Sequence, residues 1–372
     1  MRIRSAVLQE MHRPRPYVDS VPIVVEELEL AEPGPRELLV RMEAAGICHS
    51  DLSVVDGNRP RPTPMALGHE AAGIVERVGP GASLSPGQRV VLTFLPRCGE
   101  CDGCALDGLA PCTPGSIANG EGVMLGGGRR LTRHDGSTVH HHLGVSAFAT
   151  HAVVDERSVV PVDSDVPPDV AATLGCAVLT GGGAVRNAGR LASGERVAVV
   201  GLGGVGMAAL LTALTVEPSE AIAIDLHPAK LEQARALGAS VALTPAEAIE
   251  QGIRADLVVE AAGSVRALET AVAVAATGGR VVTVGLPAPD QRLELSPVDL
   301  VGRALTLVGC YLGSAVPMRD IPEYVELWRA GRLPVERLVS GTVALDDINR
   351  AMDQLADGTV LRQVITFEDA SA

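Results

Sequence analysis

The sequence predicts an α/β protein in which a doubly wound parallel sheet is joined to a mainly β, barrel-like domain. Three observations lead to this fold class. The 372 residues give room for about two domains. The first half of the chain is rich in Pro, Gly and short β-type runs, whereas from Glu195 onward short apolar strands alternate with helices. We therefore expect a first domain over residues 1–177 and a parallel-sheet domain over residues 178–318.

The first domain is predicted from short apolar runs that are separated by turn residues. Glu37–Arg41 and Arg89–Leu92 have the length and composition of strands. Pro33–Pro35 and Ser85–Gly87 supply turn residues before each of them. Repeated short strands with such turns predict an all-β or barrel-like domain.

The second domain is predicted from the alternation of strands and helices. Its helical stretches are Pro228–Leu237 and Ser264–Ala276, and the tail adds a helix at Glu323–Ala330. This alternation predicts a parallel sheet with helices on both faces. The predicted strands are 197–200, 221–224, 257–259 and 280–284, with a closing strand at 362–367.

Composition and charge exclude several classes of function. Apolar residues make up 47% of the chain, so a core is easily built, and the net charge of −14 disfavours binding to nucleic acid or to an anionic membrane surface. The N-terminus lacks the apolar segment of a signal peptide, and no uninterrupted apolar run reaches ~18 residues. We expect a cytoplasmic protein that acts on a small molecule.

A glycine-rich turn follows the first strand of the parallel sheet and leads into a helix. Glycines there allow backbone to approach a pyrophosphate, and the helix N-terminus favours its negative charge. An ordinary glycine turn is the alternative, but the flanking strand and helix favour a Rossmann-type dinucleotide site. The residues expected to contact the cofactor are Gly201, Gly203, Gly204, Val205 and Gly206.

Asp225 ends the next predicted strand, about 20 residues further on, where a carboxylate accepts a hydrogen bond from the ribose 2′-hydroxyl of NAD and repels the 2′-phosphate of NADP. The sequence therefore predicts NAD as cofactor. Lys230 is the only lysine of the chain. Either it binds the cofactor, which we favour because arginine is used elsewhere, or it is a surface residue of a helix.

Four cysteines lie within a short, glycine-containing stretch. Their spacing suits a tetrahedral zinc site that is closed by four thiolates and therefore structural. An iron–sulfur cluster is the alternative, but the bacterial ferredoxin spacing requires a shorter last gap and a proline after the fourth cysteine. The expected ligands of this structural zinc are Cys98, Cys101, Cys104 and Cys112.

Three more ligand-type residues are scattered along the first domain. Cys48, His69 and Cys176 could each be an ordinary buried side chain when taken singly. Together they make a Cys–His–Cys set, which leaves one position of a tetrahedral zinc open for a substrate. The sequence therefore predicts a second, catalytic zinc.

The motifs resemble those of the zinc-dependent medium-chain alcohol dehydrogenases, in the same order and over essentially the whole chain. They are residues 46–51, 68–70, the four-cysteine stretch, residues 174–176 and the glycine turn. The resemblance implies a GroES-like catalytic domain around a Rossmann domain, so residues 319–372 should return to the first domain. It also implies reversible hydride transfer between an alcohol and NAD(H), with two zinc ions per chain. The long segment between Cys112 and His142 is similar to that of the dimeric classes and implies a homodimer.

Further roles carry over from this resemblance. Asp51 should orient His69, Glu70 should lie beside the zinc, and Ser50 should accept the proton of the alcohol. His49 and Arg362 should face the cofactor pyrophosphate. The positions that match the substrate pocket are Phe94, His142 and Leu143.

Two residues depart from the family pattern. Ser53 stands where many relatives have a proton-relay histidine. Either Ser53 passes the proton to water, which we favour, or His49 takes the place of the relay base. His142 stands where an apolar or aromatic wall is common, and it is either a substrate contact or part of a polar, partly exposed histidine run.

Two alternative functions remain open. A formaldehyde dehydrogenase that acts on a thiol adduct, of the glutathione or mycothiol type, is one. The stretch after the four cysteines, residues 113–119, has no basic residue to bind the carboxylate of glutathione. A non-catalytic, zinc-stabilised NAD-binding protein is the other, but no catalytic ligand is missing.

Overall fold

The computed structural model describes residues 1–367, and residues 368–372 of the expected C-terminal segment lie outside the described range. In chain order, the strands are β1 (Arg2–Leu8), β2 (Ile23–Leu30), β3 (Glu37–Ile47), β4 (Met65–Ala66), β5 (Ala71–Val78), β6 (Arg89–Leu92), β7 (Leu131–Thr132), β8 (Thr138–His141), β9 (His151–Asp155), β10 (Val159–Val162), β11 (Arg196–Val200), β12 (Glu220–Ile224), β13 (Val241–Leu243), β14 (Ala255–Glu260), β15 (Ala275–Thr283), β16 (Thr306–Gly309), β17 (Gly341–Val343) and β18 (Gln363–Thr366).

The helices connect these strands. They are α1 (Tyr17–Ser20), α2 (His49–Val55), α3 (Asp102–Ala105), α4 (Thr113–Glu121), α5 (Pro168–Thr173), α6 (Leu179–Gly183), α7 (Gly204–Leu214), α8 (Pro228–Leu237), α9 (Pro245–Glu250), α10 (Val265–Val274), α11 (Pro297–Gly302), α12 (Pro317–Arg329) and α13 (Ile348–Ala356). Short 3₁₀ turns cover 156–158, 312–314, 335–338 and 345–347, and π-helical turns cover 174–178 and 184–188.

The chain divides into two compact units. The first contains residues 1–106, 111–176 and 335 onward, and it is mainly β, as the sequence predicts. Strands β1, β2, β7, β8 and β4 close a barrel. A second sheet has the order β10-β6-β5-β3-β18-β17, with β9 also paired to β3. The last strand, β18, runs antiparallel to β3 and places Gln363 opposite Ile47, so the C-terminal segment is built into the first unit.

Aliphatic side chains form the core of this first unit, because the chain has few aromatic residues. Leu8, Val40 and Leu67 are fully buried in it, and Phe148 is one of the three phenylalanines of the chain. Burying each such side chain contributes ~1.5–3 kcal/mol relative to leaving it in water. The core thus holds the loops that follow β3 and β4, which carry the candidate site.

The second unit contains residues 107–110 and 177–334. Its six strands are parallel in the order β13-β12-β11-β14-β15-β16, which is the 3-2-1-4-5-6 order of a doubly wound sheet. The prediction of a Rossmann-type sheet is therefore confirmed. The glycine turn follows β11, the strand next to which the strand order reverses, and such switch points bind ligands in open α/β sheets.

The return to the first unit comes later than expected. We expect it at residue 319, but the structure assigns residues through 334 to the second unit. The reason is helix α12, whose residues pack within that unit. Asn187 donates a hydrogen bond to Asp320 Oδ2 at 3.0 Å, and the buried Tyr324 lies directly against Gly182.

One helical run is long and apolar enough to cross a membrane by length and composition. It is Pro168–Ala188, and 89% of its most apolar window is buried inside the protein. A helix enclosed in this way is typical of a protein core. Its apolar character is explained by burial among other side chains.

Candidate active site and zinc sites

Three ligand-type side chains meet in the first unit. Cys48 follows β3 and caps helix α2, His69 lies in the loop between β4 and β5, and Cys176 lies in the π-helical turn that follows α5. All three are buried, and their ligand atoms lie within 4.8 Å of one another. A π-helical turn frequently marks a functional position in a helix. The structure thus brings together the set that the sequence predicts for the catalytic zinc.

The orientation of His69 is fixed by Asp51. His69 Nδ1 lies 2.8 Å from Asp51 Oδ1, and Asp51 Oδ2 accepts a hydrogen bond from the Cys48 backbone N–H at 2.9 Å. His69 Nε2 is buried and has no hydrogen-bond partner within the described part of the chain. A metal-bound histidine usually binds the metal through one ring nitrogen and donates a hydrogen bond from its other ring N–H to a carboxylate. This orphaned nitrogen, with two thiols beside it, fits a zinc ion with one open coordination position.

Neighbouring charges and hydrogen bonds shift the ionisation of these ligand-type groups. The hydrogen bond from Cys176 holds the pKa of the Cys48 thiol well below its usual range, with a further contribution from the charge of Arg362. Burial lowers the pKa of His69, but the charge and hydrogen bond of Asp51 outweigh it and raise that pKa to about 10. Zinc binds thiolates and neutral imidazole, so metal binding at such a site releases protons.

Glu70 and Arg362 are ion-paired in the structure. The Arg362 guanidinium contacts Glu70 Oε1 and lies 3.8 Å from Cys48 Sγ, with only 2% of the residue exposed. The structure buries Arg362 beside Glu70 and the predicted ligand Cys48. The reason is that β18 pairs with β3, so the residue before β18 lies behind the ligand loop. The role of Arg362 at a cofactor pyrophosphate stays a prediction.

The predicted proton-transfer residues lie on the first turns of α2. Ser50 Oγ is 3.8 Å from Cys48 Sγ, so the hydroxyl lies beside the zinc ligands. His49 is exposed, and its backbone carbonyl accepts a hydrogen bond from Ser53 Oγ at 2.8 Å. Ser53 Oγ thus bonds back to the preceding turn of its own helix, and the oxygen can still accept a hydrogen bond.

The residues predicted for the substrate pocket surround His69. The ring of Phe94 meets the His69 ring edge-on at 5.5 Å, and the ring of His142 meets it in the same way at 5.5 Å. Leu143 follows His142 in the chain and is also buried. His142 is 1% exposed, so the interpretation of a partly exposed histidine run is wrong for this residue. Burial lowers its pKa against the opposing effect of Asp51.

The four predicted structural cysteines also come together. Cys98 Sγ lies 3.9 Å from Cys104 Sγ, and Cys101 Sγ lies 4.0 Å from Cys112 Sγ. Four sulfurs around a tetrahedral zinc, at Zn–S distances of ~2.3 Å, are separated by about this much. Backbone N–H groups of Cys98 and Gly115 donate to Cys112 Sγ at 3.3 and 3.4 Å. The donor set therefore fits a closed zinc site.

We predict that Cys101→Ser lowers the thermal stability of the protein and removes one zinc ion. Hydrogen bonds from the backbone lower the pKa of Cys101 to about 6, so it is ready to bind a metal as a thiolate. Loss of a structural metal typically costs several kcal/mol, and each kcal/mol lowers Tm by about 2–4 °C in a domain of this size. Calorimetry and metal analysis measure both effects.

The control for this variant is Cys310→Ser. Cys310 is buried in the second unit near Ser314 Oγ and belongs to neither cysteine set. The Cys310→Ser variant should therefore keep the zinc content of the wild type. An unchanged zinc content in Cys101→Ser would contradict the assignment of this site.

The glycine turn has the shape that a dinucleotide needs. A side chain at Gly201 would collide with Ala262 at 2.6 Å, and one at Gly206 would collide with the Gly201 carbonyl. Around Gly203, by contrast, no atom lies within 4 Å of the position that a Cβ would take. Gly204 and Val205 begin helix α7, whose N-terminus is therefore open to a phosphate.

Asp225 is bound to the glycine turn itself. Its Oδ2 accepts a hydrogen bond from the Leu202 N–H at 2.7 Å, and its Oδ1 accepts one from His227 N–H at 2.9 Å. The carboxylate is half-buried at the end of β12. Lys230 lies half-buried in the first turn of α8. Asp225 is thus held beside the turn, where a ribose would lie in a Rossmann-type site.

Two further residues shape these sites: Glu260, for which the sequence predicts no role, and Gly68, which the sequence places only in the 68–70 motif. Glu260, at the end of β14, accepts hydrogen bonds from Ala262 and Gly263 N–H groups and from Thr283 Oγ1 at 2.7–2.8 Å. It holds the loop that packs against Gly201. Gly68 has a φ of +95°, and a side chain there would collide with Phe148, so glycine is needed just before His69. A buried acid at a strand end and a glycine before a ligand are the signals that could have revealed them.

Comparison with known proteins agrees with this geometry. The alcohol dehydrogenase GroES-like domain family matches residues 34–164, and the zinc-binding dehydrogenase family matches residues 204–330. The chain is 34% identical to alcohol dehydrogenase class-3 of Myxine glutinosa, over 92% of this chain and 94% of that protein. It is 35% identical to geraniol dehydrogenase of Castellaniella defragrans, over 93% of this chain and 95% of that protein. Benzyl alcohol dehydrogenase of Acinetobacter calcoaceticus superposes with a TM-score of 0.90, at 31% identity over 99% and 100% of the two chains.

The two matched domains and the ligand sets define a zinc-binding dehydrogenase. The chain belongs to the zinc-dependent medium-chain alcohol dehydrogenase family, since relatives above 30% identity cover nearly all of it. The predictions of family, of fold class and of an alcohol dehydrogenase are confirmed.

Proposed function

We propose that this protein oxidises alcohols to aldehydes or ketones with NAD, and catalyses the reverse reaction with NADH. The observation that carries the proposal is the buried Cys48–His69–Cys176 set, in which His69 Nε2 is orphaned. A tetrahedral zinc held by these three ligands would keep one position for a substrate. A second, structural zinc would be held by the four-cysteine set. Asp225 beside the glycine turn supports NAD as the cofactor.

The residues of the chain have distinct roles in this proposal. When bound, zinc would supply a Lewis acid that makes an alcohol hydroxyl easier to deprotonate, and NAD would accept the hydride. Asp51 holds His69 in the tautomer that leaves Nε2 for the metal. Ser50, next to Cys48, relays the proton of the alcohol: its oxygen accepts that proton while its own hydroxyl proton passes outward to water. Phe94 restricts the space beside His69, which excludes water from the reacting atoms.

The test is a panel of primary, secondary, aromatic and terpenoid alcohols with NAD, followed by NADH absorbance. We expect activity with primary alcohols and include benzyl alcohol and geraniol, because similar proteins are named for them. A formaldehyde assay with and without an added thiol distinguishes this alcohol dehydrogenase from the alternative, a formaldehyde dehydrogenase that acts on a thiol adduct. Absence of turnover with every substrate, together with a single zinc ion per chain, would support a non-catalytic zinc protein.

We also propose a homodimer formed through the edge of the parallel sheet. Strand β16 is the last strand of that sheet, so its outer backbone groups have no neighbouring strand in the described sheet. Leu307 on this strand is 39% exposed, and Val298 and Val301 of α11 are 76% and 79% exposed. An exposed apolar edge strand is a template for pairing with another chain. A second copy fits this edge, because a two-fold axis would pair the strand with itself.

We predict that light scattering gives a mass of twice the 38.4 kDa chain. Leu307→Lys should shift the protein toward a monomer, because a buried unpaired charge is unfavourable at such an interface. Met318→Lys is the matched control, since Met318 is 60% exposed in the same unit but lies off the sheet edge. A tetramer, or a Leu307→Lys variant that stays dimeric, would contradict the proposed edge.

A further inference from the structure

His142 lies in a buried cluster with Asp51 and His69, and the proposed function gives His142 itself no role. Its Nδ1 lies 3.3 Å from Asp51 Oδ1, the same oxygen that His69 Nδ1 approaches at 2.8 Å. Asp51, His69 and His142 are all buried, and their ligand-type atoms lie within 4.8 Å of one another. The structure thus places one carboxylate between two imidazole rings.

The environment of His142 Nδ1 favours a hydrogen bond from this atom to Asp51. The atom is buried and makes no hydrogen bond of regular geometry with residues 1–367, and the charged Asp51 oxygen lies 3.3 Å away. A buried ring nitrogen without a partner is unfavourable. A proton on Nδ1 would point at Asp51 and give that carboxylate a third donor, beside His69 and the Cys48 N–H.

The backbone around His142 is also held in an uncommon conformation. Leu143 and Ser146 have φ values of +52° and +55°, although neither is glycine. Ser146 Oγ accepts a hydrogen bond from the His142 backbone N–H at 3.0 Å and lies 3.3 Å from His141 Nδ1. Such conformations persist only where the surroundings determine them, and they are concentrated at functional sites.

We propose that His142 is a positioning residue of the catalytic zinc site, which acts through Asp51 to hold His69 in its metal-binding orientation. It is therefore not simply a wall of the substrate pocket. The inference rests on the proposed zinc site at Cys48, His69 and Cys176. Loss of a partner that orients a metal-bound histidine typically weakens metal binding or activity by ~10–100-fold.

The experiment measures release of zinc to a chromophoric chelator from the isolated protein, without any substrate. His142→Leu should release the catalytic zinc about 10-fold faster or more than the wild type. His142→Asn should be close to the wild type, because the asparagine amide can donate from nearly the position of Nδ1. His140→Asn is the control, since His140 Nδ1 contacts Arg129 and not Asp51.

The slower release of the structural zinc reports whether each variant is folded, and His142→Phe replaces His142→Leu if that variant does not fold. Wild-type release rates in both apolar variants would overturn the proposal, and so would equally fast release from His142→Asn and His142→Leu. Because no substrate is used, the result is separate from the proposed function. Faster zinc loss from a protein that oxidises no alcohol would keep this inference and refute the proposed reaction.

Discussion

Replacing Cys176 with serine should lower kcat by on the order of 10³-fold or more while leaving most of the fold intact. A Lewis-acid metal contributes several kcal/mol to stabilisation of a transition state, and each ~1.4 kcal/mol corresponds to a tenfold change in rate. Cys176 is one of three protein ligands, and its thiol hydrogen-bonds Cys48. Its loss should therefore release the catalytic zinc and raise the pKa of the Cys48 thiol.

The contrast with the four-cysteine site makes this prediction specific. Cys176→Ser should lose about one zinc ion per chain by metal analysis and nearly all alcohol oxidation, with a small change in Tm. Cys101→Ser should instead show a large decrease in Tm as its main effect. Cys310→Ser, a buried cysteine outside both sets, serves as the control for both. A Cys176→Ser variant that keeps wild-type kcat would exclude the Cys48–His69–Cys176 set as the site of the reaction.

The wild type should prefer NAD over NADP by about 100-fold or more in kcat/KM. The 2′-phosphate of NADP beside the Asp225 carboxylate would place like charges together, which costs several kcal/mol, and ~1.4 kcal/mol is a tenfold change. Asp225 has two roles in the structure, and a variant should separate them. Asp225 also anchors the glycine turn through the Leu202 N–H, so serine removes both the charge and the anchor.

Asp225→Asn removes the charge but keeps an oxygen that can accept from Leu202 N–H. We expect it to relax the preference for NAD with a smaller increase in KM for NAD than Asp225→Ser. Glu232→Ser, which removes an exposed acid of the same region, is the control for a general change of charge. Equal kcat/KM values for NAD and NADP in the wild type would refute the role given to this carboxylate.

Local patterns predict the elements of the second unit well. The sequence predicts a helix over Pro228–Leu237, and α8 has these bounds because proline starts it and Gly238 ends it in a left-handed conformation. The predicted strand 197–200 differs from β11 by one residue. Helix α12 is longer than the predicted Glu323–Ala330, since it begins at Pro317 and contains Pro322. Burial of Ile321 and Tyr324 outweighs the cost of the internal proline.

The metal ligands could be assigned from their types and spacing, but their surroundings could not. Arg362 lies against Cys48 across 314 positions of sequence, because β18 pairs with β3. The approach of His142 to Asp51 likewise depends on the turn after β8. No local pattern encodes such contacts, which tertiary packing creates. This is why the sequence predicts neither the ion pair of Arg362 with Glu70 nor the approach of His142 to Asp51. The predicted roles of Arg362 at a pyrophosphate and of His142 in the substrate pocket stay predictions.

We expect hydride to pass directly from the alcohol carbon to NAD at this site. The test uses the best primary alcohol of the panel with deuterium on its hydroxyl-bearing carbon, followed by mass spectrometry of the NADH formed. We expect one deuterium per NADH, with no label entering from the solvent in a parallel reaction run in D₂O with unlabelled alcohol. NADH that carries no deuterium from the alcohol, or that takes up deuterium from D₂O, would contradict direct transfer.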